Sequence, residues 1–351
     1  MSWKNFWEKA GNWELWPFKL RYFLISPVWL WYCLRSRSLW FFSSSNPTLT
    51  FGGLDGETKR EMYDLLPKEF YPKTIYLSPK DNFEEIKQLI AQNGFTYPFV
   101  VKPDVGAKGL LFRKIDDEGE LKFYHQKNPV DYIIQDLVTY PLEVSVFYYR
   151  YPNEKNGVIT GFIQKDLMDV YGDGKSSLWE LIMAHPNARH RPDEMRIKHE
   201  HNLDKIIPKG ERYILTYAAN LNRGAKFSDL YQHVDDEMLK LFDELSHRTR
   251  FYYGRYDIKC ESIEDLRKGK NFTILEFNGS GAEPNHVYQN NHSLFDAYKV
   301  FLRHWKVLYE ISKYNNNHGV PYWPFMKGWK FLQAAKKNLK LLEEKDTEIL
   351  V

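Results

Sequence analysis

Residues able to gather a divalent cation stand close together in the last third of the chain: Asp257 in GRYDIKC (residues 254–260), and Glu276 with Asn278 in FTILEFNGSGAEPNH (residues 272–286). Both segments read as strands. Residues two apart on a strand share a face, so Glu276 and Asn278 point the same way and can meet whatever Asp257 faces. Two carboxylates and an amide offer three hard oxygen donors. Such a set suits Mg²⁺, which keeps several waters and is completed by phosphates, so it points to nucleotide handling rather than to a closed structural cage. Asp, Glu and Asn are also common turn and cap residues at strand ends, and these three alone do not separate the two roles.

A second set lies upstream. YPFVVKP (residues 97–103) reads as a short buried strand ending near Lys102, followed by Gly106, Ala107, Lys108 and Gly109. Glycines let a backbone approach phosphate oxygens closely and lysine ammonium groups neutralise them, although one Gly-Lys-Gly turn also fits a plain hairpin. The order of the parts adds weight: lysine and glycine loop, linker strand, Glu143 on the next strand, then Asp257, Glu276 and Asn278. His185, His190, His199 and His201 lack the paired spacing of metal ligands and read as a solvated, mobile segment.

These residues need elements to position them. TIYL (74–77), YPFVVKP, DYIIQDLV (131–138), EVSVFYYR (143–150), GVITGFIQKD (157–166) and ERYILTYAA (211–219) read as strands, and VGAKGLLFRKI (105–115) as a glycine turn entering another. Apolar spacing places helices over 58–66, 82–93, 177–184, 235–251 and 292–311. Strands and helices interleave with several strands adjacent, which implies an α+β chain with antiparallel sheet. A turn-rich stretch, SSSNPTLTFGGLDGETK (43–59), reads as a hinge with a boundary near residue 50.

The 351 residues are 43% hydrophobic, enough for one large core or two moderate ones. A net charge of +3 and the lack of RNP-like or zinc-finger patterns argue against nucleic acid as a partner. Two cysteines, Cys33 and Cys260, supply no disulfide framework, and a reducing, cytoplasmic compartment fits them. Aromatic residues reach 17%, and seven of the eleven tryptophans fall in the first forty residues beside Lys4, Lys9, Lys19, Arg21, Arg35 and Arg37. Residues 322–344 repeat that mixture. Trp and Tyr beside Lys and Arg settle at bilayer headgroups, whereas the apolar run 22–34 is too short to span, so an anionic membrane surface is an expected partner, peripheral and on the inner face. The same aromatics could instead pack as core.

The ordered set resembles the ATP-grasp superfamily over roughly residues 56–290, and within it the D-alanine ligase and cyanophycin synthetase type of ligase. VYGDGKSSLWELI (170–182) is similar to the GDG-x-x-T-x-x-E-L-I segment of cyanophycin synthetases, and YAANLNRGAKFSDL (217–230) to their A-N-L-S-T-G-G segment. The resemblance implies an ATP-grasp fold, two α+β lobes clasping ATP, with short aromatic-rich extensions at both ends. Its divisions are 1–50, a grasp region 51–305 with lobes 51–138 and 139–305, and a basic helical segment 306–351. It implies ATP and Mg²⁺ as cofactors, with Asp257, Glu276 and Asn278 on the metal. Lys59, Lys102, Gly106, Lys108 and Gly109 correspond to phosphate-binding positions, and Gln135, Asp136 and Val138 to the adenine hinge. Glu143 corresponds to the ribose carboxylate, and Arg255 with Lys165 to catalytic positions. Arg223, Glu283, Asn285 and His286 are expected at the substrate. The implied reaction activates a small-molecule carboxylate as an acyl phosphate for attack by an amine. A phosphotransferase acting on a hydroxyl, and a membrane-surface binding protein with a vestigial nucleotide site, stay open. The short Trp-rich N-terminal region and the sequence NGSGAEPNH both depart from the family pattern, so the resemblance does not carry the acceptor's identity.

Overall fold

The computed structural model describes residues 12–216, 225–288 and 292–349. In chain order, the first elements are α1 (Phe18–Phe23), α2 (Ser26–Ser36), α3 (Lys59–Tyr63), β1 (Thr74–Leu77), α4 (Phe83–Gln92), β2 (Phe99–Pro103) and β3 (Arg113–Ile115). Then come α5 (Glu118–Lys127), β4 (Tyr132–Asp136), β5 (Leu142–Tyr149), β6 (Val158–Asp166), β7 (Asp169–Tyr171), α6 (Leu178–Ala184) and α7 (Pro192–Lys198). The last are β8 (Arg212–Ile214), β9 (Lys226–Asp229), α8 (Asp236–Thr249), β10 (Tyr253–Cys260), α9 (Ile263–Arg267), β11 (Phe272–Asn278), α10 (Leu294–Asn317) and α11 (Phe325–Asp346). This is the α+β architecture the interleaving implies, with sheets ordered β1-β4-β2-β3, β11-β10-β5-β6-β9 and β7-β8.

Two compact units divide the chain. The first holds the described residues up to Tyr71, Val144–Ile163 and Asp229–Lys336; the second holds Pro72–Glu143, Gln164–Ser228 and the remainder from Lys337.

In the second unit, the antiparallel register pairs Val100 with Gln135 and Lys102 with Ile133. Paired residues project to the same side of a sheet, so Val100, Lys102, Ile133 and Gln135 share one face. The opposite face carries Phe99, Val101 and Ile134, which pack with Ile86 and Ile90 of α4 and Leu121 and Tyr124 of α5. Burying that face fixes the register, because a slip of one residue would turn the whole apolar set outward. Asn82 and Asp117 cap the two helices by accepting from the Glu84 and Glu120 N–H groups. The glycine segment entering β3 is longer than the strand itself, which spans only Arg113–Ile115; Lys108 and Leu111 adopt positive φ and Gly109 follows suit, a turn geometry that interrupts extension.

The histidine-bearing stretch departs from the reading as solvated. α6 begins with a reciprocal capping box between Ser177 and Glu180, and Leu178, Ile182, Ala188 and Met195 form a small core with Ile207 and Leu215. His185 accepts the Ala188 N–H at 3.1 Å through Nδ1, and His199 lies 3.1 Å from the Leu215 carbonyl.

In the first unit the 43–59 stretch, read as a hinge, begins inside the core. Ser43, Ser44, Ser45 and Asn46 are buried. The Asn46 amide donates to the Gly52 and Tyr253 carbonyls, both at 2.9 Å, and its oxygen accepts the Tyr252 N–H at 2.8 Å and the Tyr253 N–H at 3.1 Å. Four bonds from one side chain satisfy backbone groups that no ladder reaches. Around it, Phe41, Phe42 and Phe51 join Phe147, Tyr253, Val307 and Ile311 in one core, with Trp29, Trp323 and Phe331 packed against it. Many of the terminal aromatics are therefore structural, including Trp29 and Tyr32, whose ring stacks on Tyr309 at 4.6 Å.

Candidate functional site

The antiparallel pair β10–β11 brings the cation-gathering residues to one surface. Its register sets Arg255 opposite Asn278 and Asp257 opposite Glu276, so all four side chains leave the same face. The opposite face holds Tyr256 and Phe277, covered by Phe242 of α8 and Phe251. A bulge follows, since Ile258 pairs with Ile274 and Leu275 is left over. The freed Leu275 carbonyl accepts the Tyr63 hydroxyl at 2.7 Å. Tyr63 lies four residues after Lys59 on α3, and such residues share a helix face, so the same helix carries the Lys59 ammonium to 3.9 Å from Glu276. The bulge thus re-aims β11 and anchors the helix that supplies its cation.

Asp257 is buried and heavily engaged. Arg255 forks onto it, Nε to Oδ1 at 3.0 Å and Nη2 to Oδ2 at 3.2 Å, while the Ser145 hydroxyl donates to Oδ1 and the Asn278 amide donates to Oδ2 at 3.3 Å. With its nitrogen turned to Asp257, Asn278 keeps its amide oxygen as a donor for a cation. Burial opposes the charge on Arg255, but Asp257, then Glu276 and Glu283, outweigh it and hold the guanidinium above its ordinary pKa. Two carboxylates and an amide oxygen fit Mg²⁺, which tolerates few protein ligands; among the described residues no group of three His, Cys, Asp or Glu side chains offers an all-protein cage.

Glu57 is a neighbour that the sequence did not single out. Burial raises its carboxyl to about 7, with Glu276 and Asp55 adding to the rise and Lys59 opposing it. Its Oε2 is buried and has no hydrogen-bond partner. Ser145 was missed as well, because a serine in an apolar strand carries no spacing signal for a partner 112 residues away.

The tail after β11 splits into two environments. Glu283 accepts the Tyr22 and Tyr288 hydroxyls, each at 2.5 Å on Oε1, and lies 3.7 Å from the Arg21 guanidinium. Its backbone carbonyl accepts from Arg255 at 3.3 Å. Glu283 is thus held by α1, and the segment expected to open onto a substrate is partly a latch. Asn285 is buried. His286 lines a small polar cleft with Thr160, Gly161, Asp229, Tyr231 and His292. Burial drives the His286 imidazole down to about 4, with His292 adding to the fall and Asp229 resisting it.

The second unit carries the remaining residues. Lys102 and Gln135 stand diagonally on the face of the four-stranded sheet away from its core. Gln135 is buried and donates to the Thr74 hydroxyl at 2.8 Å. Asp136 ends β4 with its carboxylate 3.6 Å from Lys73, and Val138 follows in the connection to β5. Gly106 and Gly109 bracket the turn in which Lys108 lies 3.3 Å from Glu343. Glu143 and Lys165 form a mostly buried ion pair at 3.1 Å. Arg223 lies outside the described residues.

No protein-family model matches the chain, and no curated protein matches it. Among solved structures, it is similar to the D-alanine–D-alanine ligase of Bacillus anthracis, at 12% identity over 75% of this chain and 69% of that one, with a TM-score of 0.42. VanG D-Ala:D-Ser ligase from Enterococcus faecalis is 14% identical over 74% of this chain and 62% of its own, again at 0.42. A bifunctional glutathione synthetase from Pasteurella multocida is 13% identical over 70% of this chain, with a TM-score of 0.38, and the chain spans only 36% of its length. Similarity at that level leaves the reading of the site to its own residues.

Proposed function

We propose that the protein is an ATP-dependent, ADP-forming ligase that activates a small-molecule carboxylate by phosphorylation and passes the acyl group to an amine. The observation that carries the reading is the single strand face on which Asp257, Glu276 and Asn278 meet, with Arg255 forked onto Asp257 and Lys59 beside Glu276. The Asp257 and Glu276 carboxylates and the Asn278 amide oxygen would hold Mg²⁺, which when bound would neutralise charge at transferring phosphates. Lys59 adds a cation at that end. In the second unit, the half-buried Lys102 suits phosphate, and the buried Gln135 with the Asp136–Val138 backbone suits a nucleobase edge. Glu143, fixed by Lys165, suits a pair of ribose hydroxyls.

In the first half-reaction a carboxylate oxygen takes the γ-phosphoryl group and the bond to ADP breaks. In the second the amine nitrogen bonds the acyl carbon as inorganic phosphate leaves and a proton is released. Arg255 is a largely shielded cation preorganised by Asp257, and such a group lowers a barrier most where negative charge develops on the oxygen of the tetrahedral intermediate. Acyl phosphates hydrolyse, so the reaction requires a site that excludes water.

The test is product analysis. Protein incubated with Mg²⁺, ATP and a cell extract as the source of carboxylates and amines is expected to yield ADP, free phosphate and a condensed product by mass spectrometry. Asp257→Asn and Glu276→Gln are expected to lose that turnover with an unchanged circular dichroism spectrum. Full turnover in either variant removes the metal assignment, and phosphate retained on the product makes the protein a phosphotransferase.

A further inference from the structure

We infer that the outward faces of α1 and α2 and the first turns of α11 form one docking surface for an anionic lipid bilayer, with the helices lying in the plane of the headgroups. The inner faces are spoken for: Ile25 and Cys33 are buried, and Trp29 packs on the core. The outer faces are not polar, as an exposed helix face ordinarily is. Leu20, Phe23, Leu24, Leu30, Trp31 and Leu34 project outward, Phe23 at 69% exposure and Leu34 at 72%. On α11 the same holds for Phe325, Met326 and Trp329. Singly exposed apolar residues need no explanation, but nine along α1, α2, their connection and the first turns of α11 do.

Trp40 joins the two parts. Its ring stacks on Phe325 at 6.1 Å, its indole N–H donates to the Phe325 carbonyl at 3.0 Å, and Phe325 in turn stacks on Trp329. Gly328 seats the helix there, because a Cβ at that position would lie 2.6 Å from the Trp40 indole nitrogen.

Charge selects the occupant. The chain has 46 acidic residues, yet none lies in 15–54 or in 311–342, the two stretches that build this face. Lys19, Arg35, Arg37, Lys327 and Lys330 are exposed among the apolar residues. A second copy of the face would bring those cations against one another, whereas anionic headgroups pair with them while Trp and Leu enter the acyl boundary. Among the described residues no helix is long and apolar enough to cross a membrane, which fits a segment that lies on the surface. The split is legible in the structure: the terminal aromatics that face inward are core, and those that face outward are the contact.

Sedimentation with vesicles of phosphatidylcholine, with and without phosphatidylglycerol, tests this directly. The full chain is expected to bind the anionic vesicles, to bind neutral ones far less, and to release as salt rises. Lys327→Glu with Lys330→Glu should weaken partitioning by on the order of tenfold or more. Trp31→Ser with Leu34→Ser should weaken it on both vesicle types. None of these four residues is among those assigned to catalysis, so ADP formation in solution should persist in both variants, which separates this inference from the ligase reading. Equal recovery with neutral and anionic vesicles, or unaltered binding by both variants, overturns the inference. So does a dimer in sedimentation velocity that these variants abolish without any vesicle binding, which assigns the face to a second copy.

Discussion

Arg255 couples two jobs that substitutions can separate. Its Nε and Nη2 both serve Asp257, a fork that lysine cannot reproduce although it keeps the charge. Arg255→Lys is expected to lower kcat by about 10²-fold or more with a smaller change in the KM for ATP, measured by ADP release. The Glu143–Lys165 pair makes a stability prediction. Its side chains are only 16% and 7% exposed, and removing one partner strands a buried charge. Lys165→Met should cost about 3–5 kcal/mol in denaturant unfolding, and Glu143→Leu added to it should recover much of that loss. At this scale the sequence was informative where period two alone decides the outcome: Glu276 and Asn278 share a face because they are two apart. It was silent where contacts span long separations. Nothing in spacing pairs Ser145 with Asp257, sets Glu143 against Lys165, or raises the Glu57 carboxyl, since each depends on which strands and helices become neighbours.

Among the elements, β6 runs so close to the segment after β11 that only glycine fits at 161. A Cβ there would stand 2.1 Å from the His286 imidazole Nδ1. Gly161→Ala should therefore destabilise the protein by about 1–3 kcal/mol and disturb the polar cleft, checked by thermal melting and by the His286 resonances. The buried histidines predict a pH response. Burial lowers His286 to about 4 and lowers His185, His199 and His304 as well, so folding favours the neutral imidazole at each. A depressed folded pKa contributes stability that is present above the unfolded value near 6.5 and is lost as pH falls through the folded value. Melting temperature should thus decline from about pH 6.5 toward pH 4, less steeply in His286→Gln. Most strands and long helices were legible because their apolar period matched their burial. α5 was not, since Glu118–Lys127 is mostly charged and only Leu121, Tyr124 and His125 reach the interior. The histidine stretch was read as solvated because its anchoring bonds run to residues such as Leu215, outside any local window.

For the molecule as a whole, Mg²⁺ with ATP should act as a folding ligand. At about a hundred times its dissociation constant a ligand adds about 2.7 kcal/mol, which a thermal-shift assay reads as a rise of several degrees. Asp257→Asn should lose most of that rise. The α+β class was legible from interleaved strands and helices, whereas the chain ranges of the two compact units were not, because both draw on separated stretches of chain. Asn46 gives this a consequence in time. Three of its four bonds reach residues 206 and 207 positions later, and the buried serines beside it receive Asn315 and Trp323. A ribosome adding roughly 5–20 residues per second needs about 10–40 s to make up that gap. Throughout the interval Phe41, Phe42 and Phe51 have emerged without Tyr253, Val307 or Ile311 to cover them. The nascent chain therefore carries an uncovered apolar and cationic segment for much of its synthesis, so its aggregation during translation is set by how fast the last hundred residues follow.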